Sequence, residues 1–380
     1  MNFRKILYKL SLLLFYPCRI KSSKIVFMNF SGKGYGDNPK YIAEEIIHQN
    51  KKWDLVWLVS DMNAAIPKEI RKVQFRSLRM RYELQTAKII ITNCQAPIPI
   101  IKKKKQIHIQ TWHAPMSYKK VENDAREFLR QSYIETSERN NRITDLFISS
   151  NAIQTEEYKR AFKCKSEIIQ CGIPRNDVYF KVTDQQMSEI KKRIGLDNKT
   201  KILFYAPTFR DVDSGFSYAI DGKRLLETLK NKTNQNWKIL IRFHPAVREG
   251  DYDKIVFEND DIINVTAYPD MQELLIVADM VITDISSSIY DCILIKKPLL
   301  LFMPDFEFYQ KNCRGFTDEF YQLPYEIYKS NDKLIDAINH YDYKKMKIMQ
   351  DAYIKRVNGA DDGHSAEKIV QKIESYMSDN

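Results

Sequence analysis

The stretch Gln106-Ile-His-Ile-Gln-Thr-Trp-His-Ala-Pro115 joins an apolar run to a histidine and a proline. Proline fixes its own φ and removes a backbone donor, so this stretch predicts a strand that ends in a turn carrying His113. The same order recurs at Ile239-Leu-Ile-Arg-Phe-His-Pro245. Ligands of open α/β sheets bind beyond the carboxyl ends of the strands. We therefore expect His113 and His244 to face a crevice, one from each half of the chain.

Outward from these two strands, apolar runs alternate with helical patterns, which is typical of βαβ units and a mainly parallel sheet. The first half predicts strands at 24–30, 53–59, 88–92, 107–111 and 146–149, and a helix at 39–49. The second half predicts strands starting at 201 and at 237–243, 280–283 and 298–302, and helices at 223–231, 271–278 and 289–295. The predicted fold class is α/β, with two Rossmann-like domains facing a central cleft. A polar segment at 181–200 sets the predicted domains at 23–182 and 183–380.

The net charge of +11 is concentrated at the N-terminus. Arg4, Lys5, Lys9, Arg19, Lys21 and Lys24 all precede the first acidic residue, Asp37. The apolar stretch 6–16 between them is too short to cross a bilayer as one helix, and no small-residue cleavage site of a secretory signal follows it. We predict that residues 1–22 form a basic amphipathic segment lying on an anionic membrane surface. The alternative is an N-terminal core helix.

Cysteine spacing and charge distribution exclude several other classes of protein. The six cysteines show no Cys-x-x-Cys spacing, so they predict buried thiols of a reducing cytoplasm, with no metal site and no disulfide. Nucleic-acid binding is disfavoured, because the positive charge lies mainly at the N-terminus and no known nucleic-acid module is present. No cofactor is predicted. The expected location is the cytoplasmic face of the cell membrane, as a peripheral protein.

A serine turn after an apolar strand is the strongest local indication of an anion site. The stretch Met280-Val-Ile-Thr-Asp-Ile-Ser-Ser-Ser288 places Asp284 at a strand end and Ser286, Ser287 and Ser288 at the start of a helix. Free N–H groups and the dipole at a helix start favour an anion, and serine hydroxyls add donors. The alternative is ordinary N-capping by one serine. Three serines after an acid favour phosphate binding.

Two further segments carry candidate phosphate ligands. Thr208 and Arg210 follow the first strand of the second half, where a hydroxyl and a guanidinium suit a phosphate or nucleotide. A structural Arg–Asp pair is the competing interpretation of that segment. Arg314, in a loop before Gly315, is a weaker candidate cation. In the first half, the loop Ser31–Gly36 fits neither Gly-x-Gly-x-x-Gly nor the Walker pattern, and is either an acceptor-side loop or a plain turn.

The order of these motifs resembles a known family. Six motifs follow one another along the chain, and Gly36-Asp-Asn-Pro-Lys40 precedes them. They are Trp-His-x-Pro, Gly-x-Pro-Arg-Asn-Asp, Ala-Pro-Thr-Phe-Arg-Asp, Arg-Phe-His-Pro, Thr-Asp-x-Ser-Ser with a following Lys-Pro, and Arg-Gly-Phe. This is similar to the CDP-glycerol glycerophosphotransferases of teichoic acid synthesis, over residues 25–320. One departure is Ala114, where the family commonly has glycine, and it bears on acceptor identity more than on reaction type.

The resemblance implies a membrane-peripheral enzyme of GT-B-like fold. It would transfer glycerol phosphate from CDP-glycerol to a hydroxyl of a lipid-linked saccharide acceptor and release CMP. By the same resemblance His113 would be the general base, and His244 would contact the donor phosphates or aid CMP departure. The alternatives are a transferase that uses CDP-ribitol or a nucleotide sugar, and a non-catalytic membrane-attached binding protein. For each histidine, a hydrogen-bonded structural role is the competing interpretation.

Overall fold

The computed structural model describes residues 10–11, 13–210, 220–243 and 259–378. These residues divide into two compact units, each built around its own parallel sheet. The first unit comprises residues 1–115, 122–180 and 359–380, and the second comprises 116–121 and 181–358. Both units are α/β, as the alternation of apolar runs and helical patterns predicted.

The first unit contains a seven-stranded parallel sheet in the order β3-β2-β1-β4-β5-β6-β7. Its strands are β1 (Lys21–Met28), β2 (Asp54–Val59), β3 (Ile70–Gln74), β4 (Ala87–Thr92), β5 (Ile107–Gln110), β6 (Leu146–Ser149) and β7 (Glu167–Gln170). Its helices are α1 (Asp37–His48), α2 (Leu78–Thr86), α3 (Gln131–Ile143), α4 (Ala152–Arg160) and α5 (Val178–Lys181), with 3₁₀ turns at Glu122–Phe128 and Pro174–Asn176.

The second unit contains a six-stranded parallel sheet in the order β10-β9-β8-β11-β12-β13. Its strands are β8 (Lys201–Tyr205), β9 (Trp237–Ile241), β10 (Ile262–Asn264), β11 (Met280–Thr283), β12 (Leu299–Phe302) and β13 (Ile327–Tyr328). Its helices are α6 (Asp184–Ile194), α7 (Gly222–Thr233), α8 (Met271–Val277), α9 (Ser288–Leu294), α10 (Phe306–Asn312), α11 (Asp318–Tyr321), α12 (Asn331–Asn339) and α13 (Tyr343–Arg356).

The hydrophobic cores of the two units explain why the sequences of the central strands are continuous apolar runs. Val26, Ile90 and Val281 are fully buried, because helices cover both faces of a parallel sheet. The edge strand β3 (Ile70-Arg-Lys-Val-Gln74) buries only Ile70 and Val73 and exposes polar or charged side chains at its other positions. Central strands were therefore predicted within a few residues of their observed bounds. The short edge strands β3, β10 and β13 were not predicted at all.

The last helix, α14 (Ser365–Ser378), belongs to the first unit. Its residues Ile369, Val370 and Ile373 are fully or almost fully buried in the core beneath that sheet. The carboxylate of Asp177 accepts hydrogen bonds from the backbone N–H groups of Ser365 (2.9 Å) and Ala366 (2.7 Å) at the start of this helix. Residues 359–380 thus lie with the first unit, whereas the sequence placed them in the second domain. The chain passes from the first unit to the second at 180–181 and returns at 358–359.

Part of the expected N-terminal membrane segment 1–22, namely residues 1–9 and 12, lies outside the described residues. Across the part of the chain that the structure describes, no helix has both the length and the apolar character needed to span a bilayer.

Candidate functional site

The strand order of the first sheet creates a crevice beyond β1 and β4. The chain passes from β1 to β2 on one side, whereas β4 pairs with β1 on the other side, so the loops that follow β1 and β4 diverge. Such a switch point is where open α/β sheets bind ligands. Asn29 and Asn93 follow these two strands directly, and the side chain of Asn93 donates to Asn29 Oδ1 at 2.8 Å.

His113 lies at this same edge, three residues after β5. Its Nδ1 is 3.0 Å from the carbonyl oxygen of Asn93. Because a carbonyl only accepts, Nδ1 carries the proton and donates, which leaves the lone pair on Nε2. The half-buried ring also packs against Phe30 and Trp112, at centroid distances of 5.4 and 4.4 Å. The ring is thus held in one orientation, with Nδ1 as the donor.

Asn93 connects His113 to the loop after β1. Its Oδ1 accepts from the backbone N–H of Phe30 at 2.8 Å, and its Nδ2 donates to Asp37 Oδ1 at 3.1 Å as well as to Asn29. Asn93 is fully buried. Every one of these bonds is made between segments distant in sequence, so the position of the Asn93 carbonyl depends on the folded loop.

The backbone around His113 is strained. Trp112, Phe30, Ser31 and Asp37 all have positive φ angles, between 38° and 61°. For side chains other than glycine this region is unfavourable, and such residues concentrate at functional sites. The buried amide of Asn38 donates to the carbonyl of Trp112 at 2.8 Å, which helps to hold the turn.

Ala114 occupies the position where the resembling family commonly has glycine. It is buried, and its φ is not positive, so the backbone at this point does not require glycine. Its carbonyl accepts a hydrogen bond from the side chain of Gln154. The additional methyl group is therefore accommodated within the first unit.

The other histidine of this stretch, His108, has a structural environment. It is fully buried, and its two ring nitrogens lie 3.0 Å from Thr92 Oγ1 and 2.9 Å from Thr144 Oγ1. Burial, with a smaller contribution from Lys102, lowers the pKa of His108 to about 3. His108 is thus neutral and enclosed, whereas His113 is half-exposed.

In the second sheet the corresponding switch point lies between β8 and β11. Thr208 follows β8, and its backbone N–H and hydroxyl both donate to the carboxylate of Asp284, which follows β11. The hydroxyl bond is 2.5 Å long. Asp284 also accepts from the backbone N–H of Ile285 at 2.7 Å. The two residues that the sequence predicted at these strand ends are therefore in direct contact.

Arg210 is buried between two carboxylates. It donates to Asp284 at 2.8 Å and to Asp305 at 2.8 and 3.0 Å, and a further bond of 2.7 Å reaches the carbonyl of Thr208. Burial alone would lower the pKa of Arg210, but Asp284 and Asp305 hold it above its ordinary value. The guanidinium thus joins the loops after β8, β11 and β12.

The serine turn lies beside this cluster along the chain. Ser288 begins α9, and both its backbone N–H and its hydroxyl donate to Ser286 Oγ, at 3.3 and 2.9 Å. Ser287 is the N-cap residue, but its side chain makes no capping hydrogen bond. Ser286 and Ser287 are half-buried. The Ser287 hydroxyl is therefore not used for capping, whereas the donors of Ser288 are bonded within the turn.

Arg314 and Arg210 both interact with the side chain of Tyr309. The guanidinium of Arg210 is 5.3 Å from the centre of the Tyr309 ring. Burial raises the pKa of Tyr309, and the charges of Arg314 and Arg210 act against this rise. Four of the predicted ligands, Thr208, Arg210, Asp284 and Arg314, therefore belong to one neighbourhood of the second unit.

The second predicted catalytic residue, His244, lies outside the described residues. The chain is described up to Phe243, whose backbone N–H donates to Thr266 Oγ1 at 3.0 Å. Arg242 was not singled out by sequence reasoning. Its Nη1 is buried and has no hydrogen-bond partner among the residues described here. Arg242 directly follows β9, as Asn93 directly follows β4. Polar residues at strand ends are candidates for a site, so this signal in the sequence could have identified both residues.

Within the described segments, no group of three or more histidine, cysteine, aspartate or glutamate side chains is arranged to hold a metal ion.

Comparison with known proteins identifies the family. A family profile described as CDP-Glycerol:Poly(glycerophosphate) glycerophosphotransferase matches residues 6–375. The chain is 30% identical over 367 residues to a teichoic acid poly(glycerol phosphate) polymerase of Bacillus spizizenii, and the match covers 92% of this chain and 91% of that protein. Other, longer polymerases are matched over about half their length.

Solved structures agree with this assignment. A variant of the wall teichoic acid polymerase TagF, soaked with CDPG, has a TM-score of 0.85 and 27% identity, covering 99% of this chain and 93% of that one. A UDP-GlcNAc 2-epimerase of Methanocaldococcus jannaschii, at 12% identity and a TM-score of 0.54, shares the fold alone, with 93% of this chain and 99% of that chain covered. The predicted GT-B-like class of two Rossmann-like domains and the resemblance drawn from motif order are both confirmed. The chain is a transferase and belongs to the CDP-glycerol:poly(glycerophosphate) glycerophosphotransferase family.

Proposed function

We propose that this protein transfers glycerol phosphate from CDP-glycerol to a hydroxyl of a lipid-linked saccharide acceptor in teichoic acid synthesis, and releases CMP. Membership of the family supports the donor and the reaction type. The single observation that carries the catalytic assignment is the His113 Nδ1–Asn93 carbonyl bond of 3.0 Å, which leaves the lone pair on Nε2.

In the proposed step, Nε2 of His113 takes the proton of the acceptor hydroxyl. The acceptor oxygen forms a bond to the phosphorus that carries glycerol, the bond from this phosphorus to the bridging oxygen breaks, and CMP leaves. Acid–base catalysis of this kind is efficient when the base is neutral near the operating pH, as imidazole is. His244 remains the proposed contact to the donor phosphates or to departing CMP.

The donor phosphates are proposed to bind in the second unit, at Ser286, Ser287 and Ser288. Backbone N–H groups and hydroxyls at a helix start are favourable partners for a phosphate. Thr208 and Asp284 support the turn, because the Asp284 carboxylate is bonded both to Thr208 and to the backbone next to the serines. Arg314 is the proposed additional cation, and Arg210 is proposed to hold the loops in place.

The acceptor is proposed to be presented at an anionic membrane surface on the cytoplasmic side, where the protein is peripheral. The cationic and apolar composition of residues 1–22 supports this, since such segments bind headgroups and acyl chains together. The acceptor hydroxyl would approach His113 in the first unit.

The test is to measure CMP release with CDP-glycerol and a lipid acceptor analogue, for the wild type and for His113→Ala. General bases typically contribute ~10²–10⁴-fold to rate, so turnover should fall by that factor while CDP-glycerol still binds. CDP-ribitol and common nucleotide sugars, assayed in parallel, identify the donor. If CMP is released from CDP-ribitol and not from CDP-glycerol, the donor is CDP-ribitol and the proposed donor is wrong.

His48→Ala is the matched control, because the His48 side chain is 82% exposed and lies on α1 away from the strand ends. It should retain wild-type turnover. Folded His113→Ala protein that keeps more than about a tenth of wild-type turnover would exclude the base role.

A further inference from the structure

A cavity of about 520 Å³ lies within the first unit, outside the residues assigned so far. It is bounded by the 3₁₀ turn Glu122–Phe128, by α3, and by the turn at 161–166 that follows α4. Its volume is in the range of small-molecule sites, which run from ~300 to 1,000 Å³. The backbone N–H of Asn123 donates to the carbonyl of Ala161 at 3.1 Å, so two of the walls are joined directly.

The inner part of the cavity is polar but carries no cation. Glu122 is 5% exposed, and its carboxylate accepts from the hydroxyls of Tyr133, at 2.5 Å, and Ser137. Asn141 donates to the carbonyl of Phe162 at 2.8 Å. Hydroxyl and amide groups of this kind suit a neutral, hydroxylated group, whereas the Glu122 carboxylate disfavours an anion at this depth.

The outer part of the cavity is cationic. Its lining carries the four cations Arg126, Arg142, Lys163 and Lys165, against the carboxylates Glu122 and Glu138. All four cations are exposed, so their charges stand at the opening. A hydrogen bond from Arg126 (2.9 Å), together with the charges of Arg126, Lys163 and Arg142, holds the pKa of Glu138 below its usual value. The opening is therefore a region of positive potential even with Glu138 ionised.

Apolar side chains complete the walls. Leu129, Ile134 and Phe162 also line the cavity. Phe162 also packs edge-on against Trp112 at 4.8 Å, and Trp112 contacts His113. Phe162 and Trp112 thus connect the cavity to the proposed base, His113, within the same unit.

We propose that this cavity binds an organic phosphate, with the phosphate at the cationic opening and a neutral, hydroxylated or apolar remainder directed inward. The charge gradient from Lys163 and Lys165 to Glu122 sets this orientation, because an anion is attracted to the opening and excluded from the interior. A phosphate ester of a polyol has this chemistry, whether it is a soluble polyol phosphate or the headgroup of a glycerophospholipid.

The test is calorimetric titration of the full-length protein, without nucleotide, using two probes. Glycerol 1-phosphate represents the soluble source, and dihexanoyl phosphatidylglycerol, kept below its micelle concentration, represents the lipid source. The charge-reversal variant Lys163→Glu/Lys165→Glu should bind at least about tenfold more weakly, because hydrogen bonds to charged groups are among the stronger ones. Lys68→Glu/Lys159→Glu makes the same charge change at exposed sites outside the cavity and should bind as the wild type does.

Leu129→Trp tests the location without changing charge, since a larger side chain would fill the space. It should weaken binding of the same probe. The site is supported if the wild type binds at least one probe and if this binding is lost in the Lys163/Lys165 variant and in Leu129→Trp. Which probe binds identifies the source of the phosphate. The inference is overturned if the wild type binds neither probe, if the two double variants bind alike, or if Leu129→Trp binds as the wild type does. Because nucleotide is absent, these outcomes are independent of the transfer reaction.

Discussion

Arg210 and Ser287 both follow strands of the second sheet, but their side chains have different partners. The Arg210 guanidinium is buried against Asp284 and Asp305, whereas Ser287 is half-buried and makes no capping bond. A buried cation between two carboxylates mainly maintains local structure. A serine hydroxyl at a helix start contributes little to the fold and is available to a ligand.

We predict that Arg210→Ala destabilises the protein, while Ser287→Ala weakens donor binding without doing so. Removing one partner of a buried ion pair costs about 3–5 kcal/mol, because it leaves carboxylates buried without compensation. Losing one hydrogen bond to a charged phosphate costs about 1.5–3 kcal/mol, roughly a tenfold or larger loss of affinity. Chemical unfolding and CDP-glycerol titration of both variants give the two quantities.

Thr228→Ala, on the exposed face of α7, provides a control for both measurements and should change neither. Tight CDP-glycerol binding by Ser287→Ala would contradict the phosphate assignment of the serine turn. Unchanged stability of Arg210→Ala would contradict its structural role.

Two elements of the first unit, β1 and α2, are joined by a buried ion pair. Lys24 and Glu83 have fully buried side chains and are in direct contact, and Arg71 on β3 lies 3.2 Å from Glu83. Burial by itself would raise the pKa of Glu83, but Arg71 and Lys24 lower it to about 2. In the unfolded chain the ordinary value of about 4.3 applies. The ionised carboxylate therefore stabilises the folded unit above pH ~4.3, and this contribution is lost as the pH falls toward 2.

We predict that acidification from pH 6 to pH 3 lowers the stability of the wild type more than that of Lys24→Met/Glu83→Leu. The wild type loses part of the Glu83 contribution over this range, whereas the double variant has no carboxylate to protonate at this position. Urea unfolding followed by circular dichroism at both pH values measures the difference. All other carboxylates are common to both proteins, so equal losses would contradict the predicted role of this pair.

The central strands could be predicted because burial on both faces produces continuous apolar runs. The same reasoning proposed His113, Thr208, Asp284 and the serine turn as site residues, since each lies within a few residues of the end of such a strand. The edge strand β3 was missed because only Ile70 and Val73 of its five residues are apolar, so it contains no continuous apolar run. The contacts of Asn93 and Asn38 were also missed, because their partners lie far away in sequence and only folding brings them together.

At the scale of the whole chain, each unit is built from segments that are not contiguous in sequence. Residues 116–121 belong to the second unit and 359–380 to the first. The amphipathic pattern of α14 shows that Ile369 and Ile373 need a core, but it does not say which one. The motif Gly172-Ile-Pro-Arg-Asn-Asp177 contributes to this choice, because Asp177 caps α14 and the Asn176 side chain donates to Asp361 at 3.1 Å.

The N-terminal residues that are described carry an exposed apolar surface. Leu10, Leu13 and Leu14 are 57%, 50% and 62% exposed. The next residues are packed, because Phe15 meets the Tyr82 ring edge-on at 5.7 Å and the carbonyl of Cys18 accepts from Lys103 at 2.5 Å. Residues 1–14 can therefore be removed without losing these contacts.

We predict that deletion of residues 1–14 releases the protein from vesicles of anionic lipid and spares turnover on a soluble acceptor analogue. The deletion removes the three exposed leucines together with Arg4, Lys5 and Lys9, and each basic residue near an anionic surface contributes about 1 kcal/mol. Vesicle sedimentation at low and high salt measures binding, which should weaken with salt through screening.

The triple variant Leu10→Ser/Leu13→Ser/Leu14→Ser should weaken vesicle binding while keeping the charges. Phe128→Ser, at another exposed apolar residue, is the control, and release by this variant alone would move the membrane-binding surface to the segment around residues 122–143.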